Sequence, residues 1–159
     1  MGVFEHVPSG QVSGKTISNK WVYKIKPEKH KARLVIRGFM EKNPGDTFAP
    51  TLKIVSLRLI FAIAAVTDFV VRQMDVCNAF VNAATPSKIY TLYPKGFERP
   101  GYILRLIKAL YGLKGSPRAW YQHLRDFLVR LGMAPTEMDV CLFVMFDKSV
   151  LVLIAAVYM

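Results

Sequence analysis

The stretch Phe69-Val70-Val71-Arg72-Gln73-Met74-Asp75-Val76, followed by Cys77-Asn78-Ala79-Phe80, decides how this chain is read. Its first eight residues carry valines and no glycine or proline, which predicts a strand, and their apolar character suits a central place in a sheet. A carboxylate at the end of such a strand is costly to desolvate unless it is paired or bound to a metal. Asp75 is therefore either a turn aspartate just past the strand or a metal ligand. Phe80 would set an aromatic ring near that carboxylate at the mouth of the sheet, an arrangement suited to a metal ion and a bound ring.

Outward from this stretch the chain alternates between strand and helix signals. On the N-terminal side, Trp21-Val22-Tyr23-Lys24-Ile25-Lys26 predicts a strand, Pro27 to Lys31 a turn, and Arg33-Leu34-Val35-Ile36-Arg37 a returning strand closed by Gly38. Pro44-Gly45-Asp46 is a turn, and Leu57 to Val66 has helical spacing behind a possible cap at Ser56. On the C-terminal side, Ile89 to Leu92 predicts a short strand and Pro94 to Gly101 a loop. Ser116 and Pro117 open a helix whose apolar stripe is Trp120, Leu124, Phe127, Leu128 and Leu131, ended by Gly132. An apolar hairpin follows, with strands from Cys141 to Phe146 and from Val150 onward. The order predicts an α+β fold with an antiparallel sheet and helices on one face.

The charge is concentrated in one place. The 159 residues hold 22 Lys and Arg against 11 Asp and Glu, a net charge of +11, with 52% hydrophobic residues. That balance excludes a disordered chain and suggests a polyanionic partner. Between Lys20 and Lys42 there are eight basic residues (Lys20, Lys24, Lys26, Lys29, Lys31, Arg33, Arg37, Lys42) and two acids, Glu28 and Glu41. The hairpin is either a solvated edge protected by lysines or a surface for phosphates. Cys77 and Cys141 do not make a disulfide scaffold or a Cys-based zinc site. No secretory signal opens the chain, and the apolar run Val150 to Met159 is about half a membrane span.

One further block has chemical potential. In Leu110-Tyr111-Gly112-Leu113-Lys114-Gly115-Ser116-Pro117-Arg118, two glycines allow close backbone approach just before a helix N-terminus, where free N–H groups favour anions. The phosphate-loop spacing G-x-x-x-x-G-K-[ST] is absent.

Taken in order, Trp21 to Lys26, Lys31-Ala32-Arg33-Leu34-Val35, Thr47-Phe48-Ala49-Pro50, Gln73 to Phe80 and Leu110 to Trp120 resemble the reverse transcriptase of copia-type retrotransposons. The resemblance runs from residue 19 to residue 159, with residues 1–18 outside it. It implies a polymerase-type palm with a β-rich fingers hairpin, the thumb being absent, and an RNA-directed DNA polymerase activity. By resemblance Asp75 is the first catalytic aspartate and a ligand of Mg2+. Phe80 is the aromatic gate beneath the sugar of the incoming nucleotide. Lys26 and Arg33, with Lys24 or Lys31 as alternatives, meet the triphosphate; Tyr111 and Gly112 border the nucleotide. Lys114, Gly115, Ser116, Pro117 and Arg118 face the template and primer.

The implied partners are a template with its primer, deoxynucleotide triphosphates, and the thumb and RNase H domains of a polyprotein; no membrane is implied. The expected location is a cytoplasmic retroelement particle or the nucleus. Two departures stand out. Asn82-Ala83-Ala84-Thr85 replaces the usual glycine and acidic residues after the gate. The last residues, Tyr158-Met159, look like the first half of a Tyr-x-Asp-Asp motif, so the chain holds one of three expected catalytic aspartates and is expected to be inactive alone. A non-enzymatic remnant that binds RNA or DNA through its basic surface is the alternative.

Overall fold

In the computed structural model, which describes residues 2–42 and 44–158, the expected basic hairpin forms with a tighter turn than its sequence suggested. In chain order the elements are β1 (Phe4–Pro8), β2 (Asn19–Lys26), β3 (Lys29–Ile36), α1 (Ile54–Thr67), β4 (Tyr90–Thr91), β5 (Tyr102–Leu106), α2 (Ser116–Arg130), β6 (Ala134–Pro135), β7 (Leu142–Asp147) and β8 (Val150–Ala156). Short 3-10 turns lie at Ser9–Gln11, Gly38–Met40 and Ala79–Asn82. The elements are mixed helix and antiparallel strand, as expected, but three small sheets replace the single sheet. They fall in two compact units, Met1–Phe48 with Asn78–Trp120, and Ala49–Cys77 with Tyr121–Met159.

The first unit holds two of the sheets. β5 lies between β1 and β4, and the β2–β3 hairpin is a sheet of its own. The first residues, which carried no recognised pattern, supply β1: its Glu5 sits opposite Arg105 and pairs with it at 2.9 Å. Ile17, Ile36, Ile89, Leu106, Leu110 and Leu113 form the buried cluster, with Val3, Phe4 and Met40 against it. Each such side chain contributes about 1.5–3 kcal/mol by leaving water. Ile36, at the end of β3, is fully buried, so the root of the hairpin is anchored in this core while its tip is exposed.

The second unit packs β6, β7 and β8 with α1 and most of α2. Its core is Tyr121, Met133, Cys141, Phe143 and Val157, flanked by Leu52, Leu124 and Leu128. The α2 stripe is only partly buried: Leu124 and Leu128 join this core, whereas Phe127 and Leu131 are exposed. α2 ends as its sequence suggested. Gly132 takes φ +90°, and the N–H groups of Gly132 and Met133 return to the carbonyls of Val129 and Leu128.

Helix α1 begins before the expected start, and Ser56 is not its cap. The carboxylate of Asp139, far along the chain, instead ties down the start of the helix. Its Oδ2 accepts from the Lys53 backbone N–H at 2.9 Å and the Ser56 hydroxyl at 2.6 Å, and its Oδ1 accepts from the Cys141 N–H at 3.0 Å. Burial alone would raise the pKa of Asp139, but these three hydrogen bonds and the Lys53 charge outweigh it and hold the carboxyl below its ordinary value. Burial, reinforced by Asp139, pushes the Cys141 thiol up to about 11.

The strand expected over Phe69 to Val76 does not form. Asp68 closes α1 in the left-handed region, and residues 69–76 then run without ladder partners among the described residues. Val70 and Met74 are 82% and 88% exposed. Valine content favours a pleated, half-buried surface but cannot create the neighbouring strand that makes one. The C-terminal hairpin does form, turning at Lys148 and Ser149, which both have positive φ. Of the expected half-motif, Tyr158 follows β8 and is exposed, while Met159 lies outside the described residues. No helix among the described residues is long and apolar enough to cross a membrane.

Candidate nucleotide and nucleic-acid site

The register of the hairpin sorts its side chains onto two faces. Lys24 lies opposite Lys31, Lys26 opposite Lys29, and Val22 opposite Arg33. Because side chains alternate along a strand and opposed residues share a face, these five cations form one basic face. Trp21, Tyr23 and Ile25, opposite Leu34, Ala32 and His30, form the other. Lys26 and Arg33, and their alternatives Lys24 and Lys31, therefore all lie on one surface. Directly opposed like charges destabilise a sheet pair, so the cations on this face work against the pairing that places them.

At its rooted end the basic face meets the other expected nucleotide residues. The Arg33 guanidinium lies 5.5 Å from the centroid of the Tyr111 ring. Phe80 stands edge-on to the same ring, with centroids 4.7 Å apart and planes at 64°. Residues separated widely in sequence, Arg33, Phe80 and Tyr111, thus share one contact cluster. An arginine over an aromatic face keeps its outward N–H groups for a phosphate.

Backbone packing fixes that cluster. The Ile36 N–H donates to the Tyr111 carbonyl at 2.8 Å. Gly112 has φ +91°, and a Cβ there would lie 2.0 Å from the Ile36 carbonyl oxygen. Gly38 meets the same seam from the other side, where a Cβ would lie 2.0 Å from the Gly112 carbonyl oxygen. Only glycine permits this approach at either position. Phe80 is held by its own 3-10 turn: Asn78 is left-handed, and the Asn82 amide donates to the carbonyls of Asn78 and Ala79 at 3.4 and 3.3 Å. The unusual Asn82 thus has a local structural role.

The block before α2 is mostly internal. Gly115 is buried, with room for no Cβ beside Pro86, and the buried Ser116 hydroxyl donates to the Leu110 carbonyl at 2.6 Å. Arg118 pairs with Asp46 at 2.9 Å and donates to the Phe48 carbonyl at 3.0 Å. Pro117 is half-buried, and Lys114 leaves its side chain exposed while its N–H reaches Glu41 Oε2 at 3.3 Å. Glu41 itself is buried, and its other oxygen has no hydrogen-bond partner among the described residues. Sequence reading gave neither Glu41 nor Asp139 a role, because both act through contacts remote in the chain.

Asp75 lies in the second unit, exposed, within the unpaired run. Among the described residues no three His, Cys, Asp or Glu side chains stand together as a metal site. A single carboxylate does not fit a pair of divalent cations, which take several oxygen ligands each.

At its rooted end the basic face thus reaches Arg33, Tyr111 and Phe80. The family profile described as "Reverse transcriptase (RNA-dependent DNA polymerase)" matches residues 4–159. The chain is 36% identical over 152 residues to the "Retrovirus-related Pol polyprotein from transposon RE2" of Arabidopsis thaliana, covering 87% of this chain and 10% of that protein. It is 40% identical over 124 residues to the corresponding polyprotein of transposon RE1 from the same plant, covering 74% of this chain and 8% of that protein. The polyprotein of transposon TNT 1-94 from Nicotiana tabacum is 38% identical over 136 residues, covering 78% of this chain and 10% of that protein. No solved structure matches. The chain belongs to the reverse transcriptase family, in its copia-type retrotransposon branch. It spans a tenth or less of the length of these relatives.

Proposed function

We propose that this chain supplies the fingers and part of the palm of an RNA-directed DNA polymerase, the part that receives the incoming deoxynucleotide triphosphate. The observation that carries the reading is the Arg33–Tyr111–Phe80 cluster at the root of the basic hairpin face. In this reading Arg33, with Lys26, Lys24 and Lys31, takes the triphosphate, and positive side chains stabilise the charge on the phosphates. Tyr111 and Gly112 border the nucleotide, and Phe80 lies beneath its sugar and excludes a 2′-hydroxyl. The block from Lys114 through Gly115, Ser116 and Pro117 to Arg118 forms the template and primer side. Lys114 makes the outward contact, and Ser116 and Arg118 hold the loop through Leu110, Asp46 and Phe48.

Asp75 is the carboxylate this chain offers to Mg2+. Nucleotidyl transfer with two metal ions about 4 Å apart needs more carboxylates than one, so residues 1–159 alone are proposed to bind nucleotide without extending a primer. Further polyprotein domains, the thumb and RNase H among them, are the proposed complement, and a cytoplasmic particle or the nucleus the proposed location. A primer-extension assay on the 159-residue chain with Mg2+ is expected to give no product, while photocrosslinking of a labelled deoxynucleotide triphosphate gives an adduct lost in Arg33→Ala. Synthesis by this chain that disappears in Asp75→Ala would overturn the inactivity. An adduct indifferent to Arg33 would overturn the nucleotide reading.

A further inference from the structure

Glu41 is a buried carboxylate to which the nucleotide reading gives no part. It follows the 3-10 turn Gly38–Met40 at the exit of the hairpin, and that turn fixes its backbone. The Met40 N–H donates to the Arg37 carbonyl and the Glu41 N–H to the Gly38 carbonyl, both at 3.0 Å. Of the side-chain oxygens, Oε2 accepts from the Lys114 N–H at 3.3 Å. Oε1 is buried and has no hydrogen-bond partner among the described residues. Lys15, Lys42 and Lys88 line the cleft of about 310 Å³ beside Glu41, yet none of them donates to that oxygen.

The Lys114 contact completes a clamp on the loop Tyr111-Gly112-Leu113-Lys114. At one end the Ile36 N–H donates to the Tyr111 carbonyl at 2.8 Å, and at the other Glu41 takes the Lys114 N–H. Between the two ends Gly38 lies against Gly112, and Leu113 is buried in the first core. The chain from Ile36 to Glu41 thus grips this loop by both ends. Each end carries a side chain of the proposed site: the Tyr111 ring, beside Arg33 and Phe80, and the exposed Lys114. Ile36 holds its end through the backbone, whereas the far end depends on a single side chain.

A buried carboxylate with one oxygen unpaired costs the fold stability. An apolar side chain of similar length would fill the same space without that cost. A buried group that works against the fold points to a part in function. We propose that Glu41 is a positioning residue for the template and primer side: by holding the Lys114 N–H it fixes the backbone from which the Lys114 side chain reaches out. The proposal rests on the reading of the Lys114 block as the nucleic-acid side, and it adds the residue that sets the geometry of that block. Glu41 itself touches neither nucleotide nor nucleic acid.

The probe is a fluorescein-labelled DNA hairpin with a recessed 3′ end, titrated into the 159-residue chain and read by anisotropy over a range of salt. Lys114→Ala is expected to weaken binding and to reduce the salt slope by about one, the share of one phosphate contact. Glu41→Met keeps the bulk and removes the acceptor. It is expected to weaken binding roughly threefold or more, yet to leave the urea midpoint equal or higher. Glu41→Gln puts an amide oxygen in the acceptor's place and is expected to bind as the parent does. With Lys114 already alanine, Glu41→Met should have no further effect on binding, because the two residues act through one contact. Deuterium exchange at the Lys114 amide should speed in Glu41→Met while that at Ile36 stays slow.

A fall in urea midpoint that accompanies the fall in binding would make Glu41 a structural part only and overturn the proposal. So would additive effects of the two substitutions, or parent-like binding by Glu41→Met where Lys114→Ala binds weakly. Binding indifferent to Lys114→Ala, or absent in the parent chain, would overturn the reading of the Lys114 block and the proposal with it. The two thus fail by different results, and none of these results bears on the Arg33 photocrosslink.

Discussion

The Arg33 guanidinium sits over the Tyr111 ring, 5.5 Å from its centroid, and it is held there because the backbones of Ile36 and Gly112 touch. A strand of the hairpin and the loop before α2 thereby behave as one rigid corner. Removing the cation at this corner should affect nucleotide more than fold. Arg33→Ala is expected to weaken deoxynucleotide triphosphate binding roughly tenfold, the scale of a lost hydrogen bond to a charged group. Arg33→Lys should recover only part of it, since lysine lacks the planar, forked guanidinium. Titration of the triphosphate by calorimetry measures both.

Gly112→Ala tests the corner itself. The new Cβ would strike the Ile36 carbonyl, and the backbone would be strained at φ +91°. A loss of about 3 kcal/mol or more is expected, visible as a lower urea midpoint. A change of less than about 0.5 kcal/mol would mean that the approach relaxes cheaply.

Phe80→Val is expected, in a longer and active form of the protein, to raise incorporation of ribonucleotides relative to deoxynucleotides. The edge-on contact with Tyr111 keeps the wild-type ring in one place, so removal of its bulk opens space beneath the sugar. Single-nucleotide extension with each substrate gives the ratio, and an unchanged ratio removes the gate assignment.

Asp139 makes a separate prediction about acid stability. Its folded pKa is depressed, so its contribution is fully present above the unfolded-state value of about 4 and is lost as pH falls through the lower folded value. Asp139→Asn is expected to cost about 2 kcal/mol near neutrality and to flatten the acid limb of stability. Urea melts at several pH values between neutrality and the folded pKa would show both.

The two cysteines should separate cleanly by reactivity. Cys77 is exposed, whereas Cys141 is buried with its thiol pushed up to about 11. At pH 8 a thiol reagent is expected to label Cys77 quickly and Cys141 only on unfolding. Fast labelling of both would show that the second core opens readily.

What the sequence showed and hid has a physical pattern. The hairpin, α2 with its Gly132 stop and the final hairpin were legible because their signals are local: alternation, capping residues and turn residues. The run from Phe69 to Val76 misled because strand formation depends on a neighbour as much as on valines. Asp139 and Glu41 were invisible because their partners, Lys53 and Ser56 or Lys114, come from remote positions. Among the site residues, Arg33 and Tyr111 were assigned to the nucleotide from family likeness and Phe80 was first noted as a ring beside Asp75; the structure brings these three into contact. Asp75 was singled out first as a strand-end carboxylate and then by likeness; it lies in the other unit, and among the described residues no cluster of companion ligands stands with it.

The opposed lysines of the hairpin carry one more consequence. Lys24 against Lys31 and Lys26 against Lys29 each work against the pairing that places them there. A polyphosphate bound across them turns that repulsion into attraction, so occupancy and ladder formation at the tip become one coupled equilibrium. Amide hydrogens near Pro27 and Glu28 should then exchange quickly in dilute buffer and slow when tripolyphosphate is added, while those beside the buried Ile36 stay slow throughout.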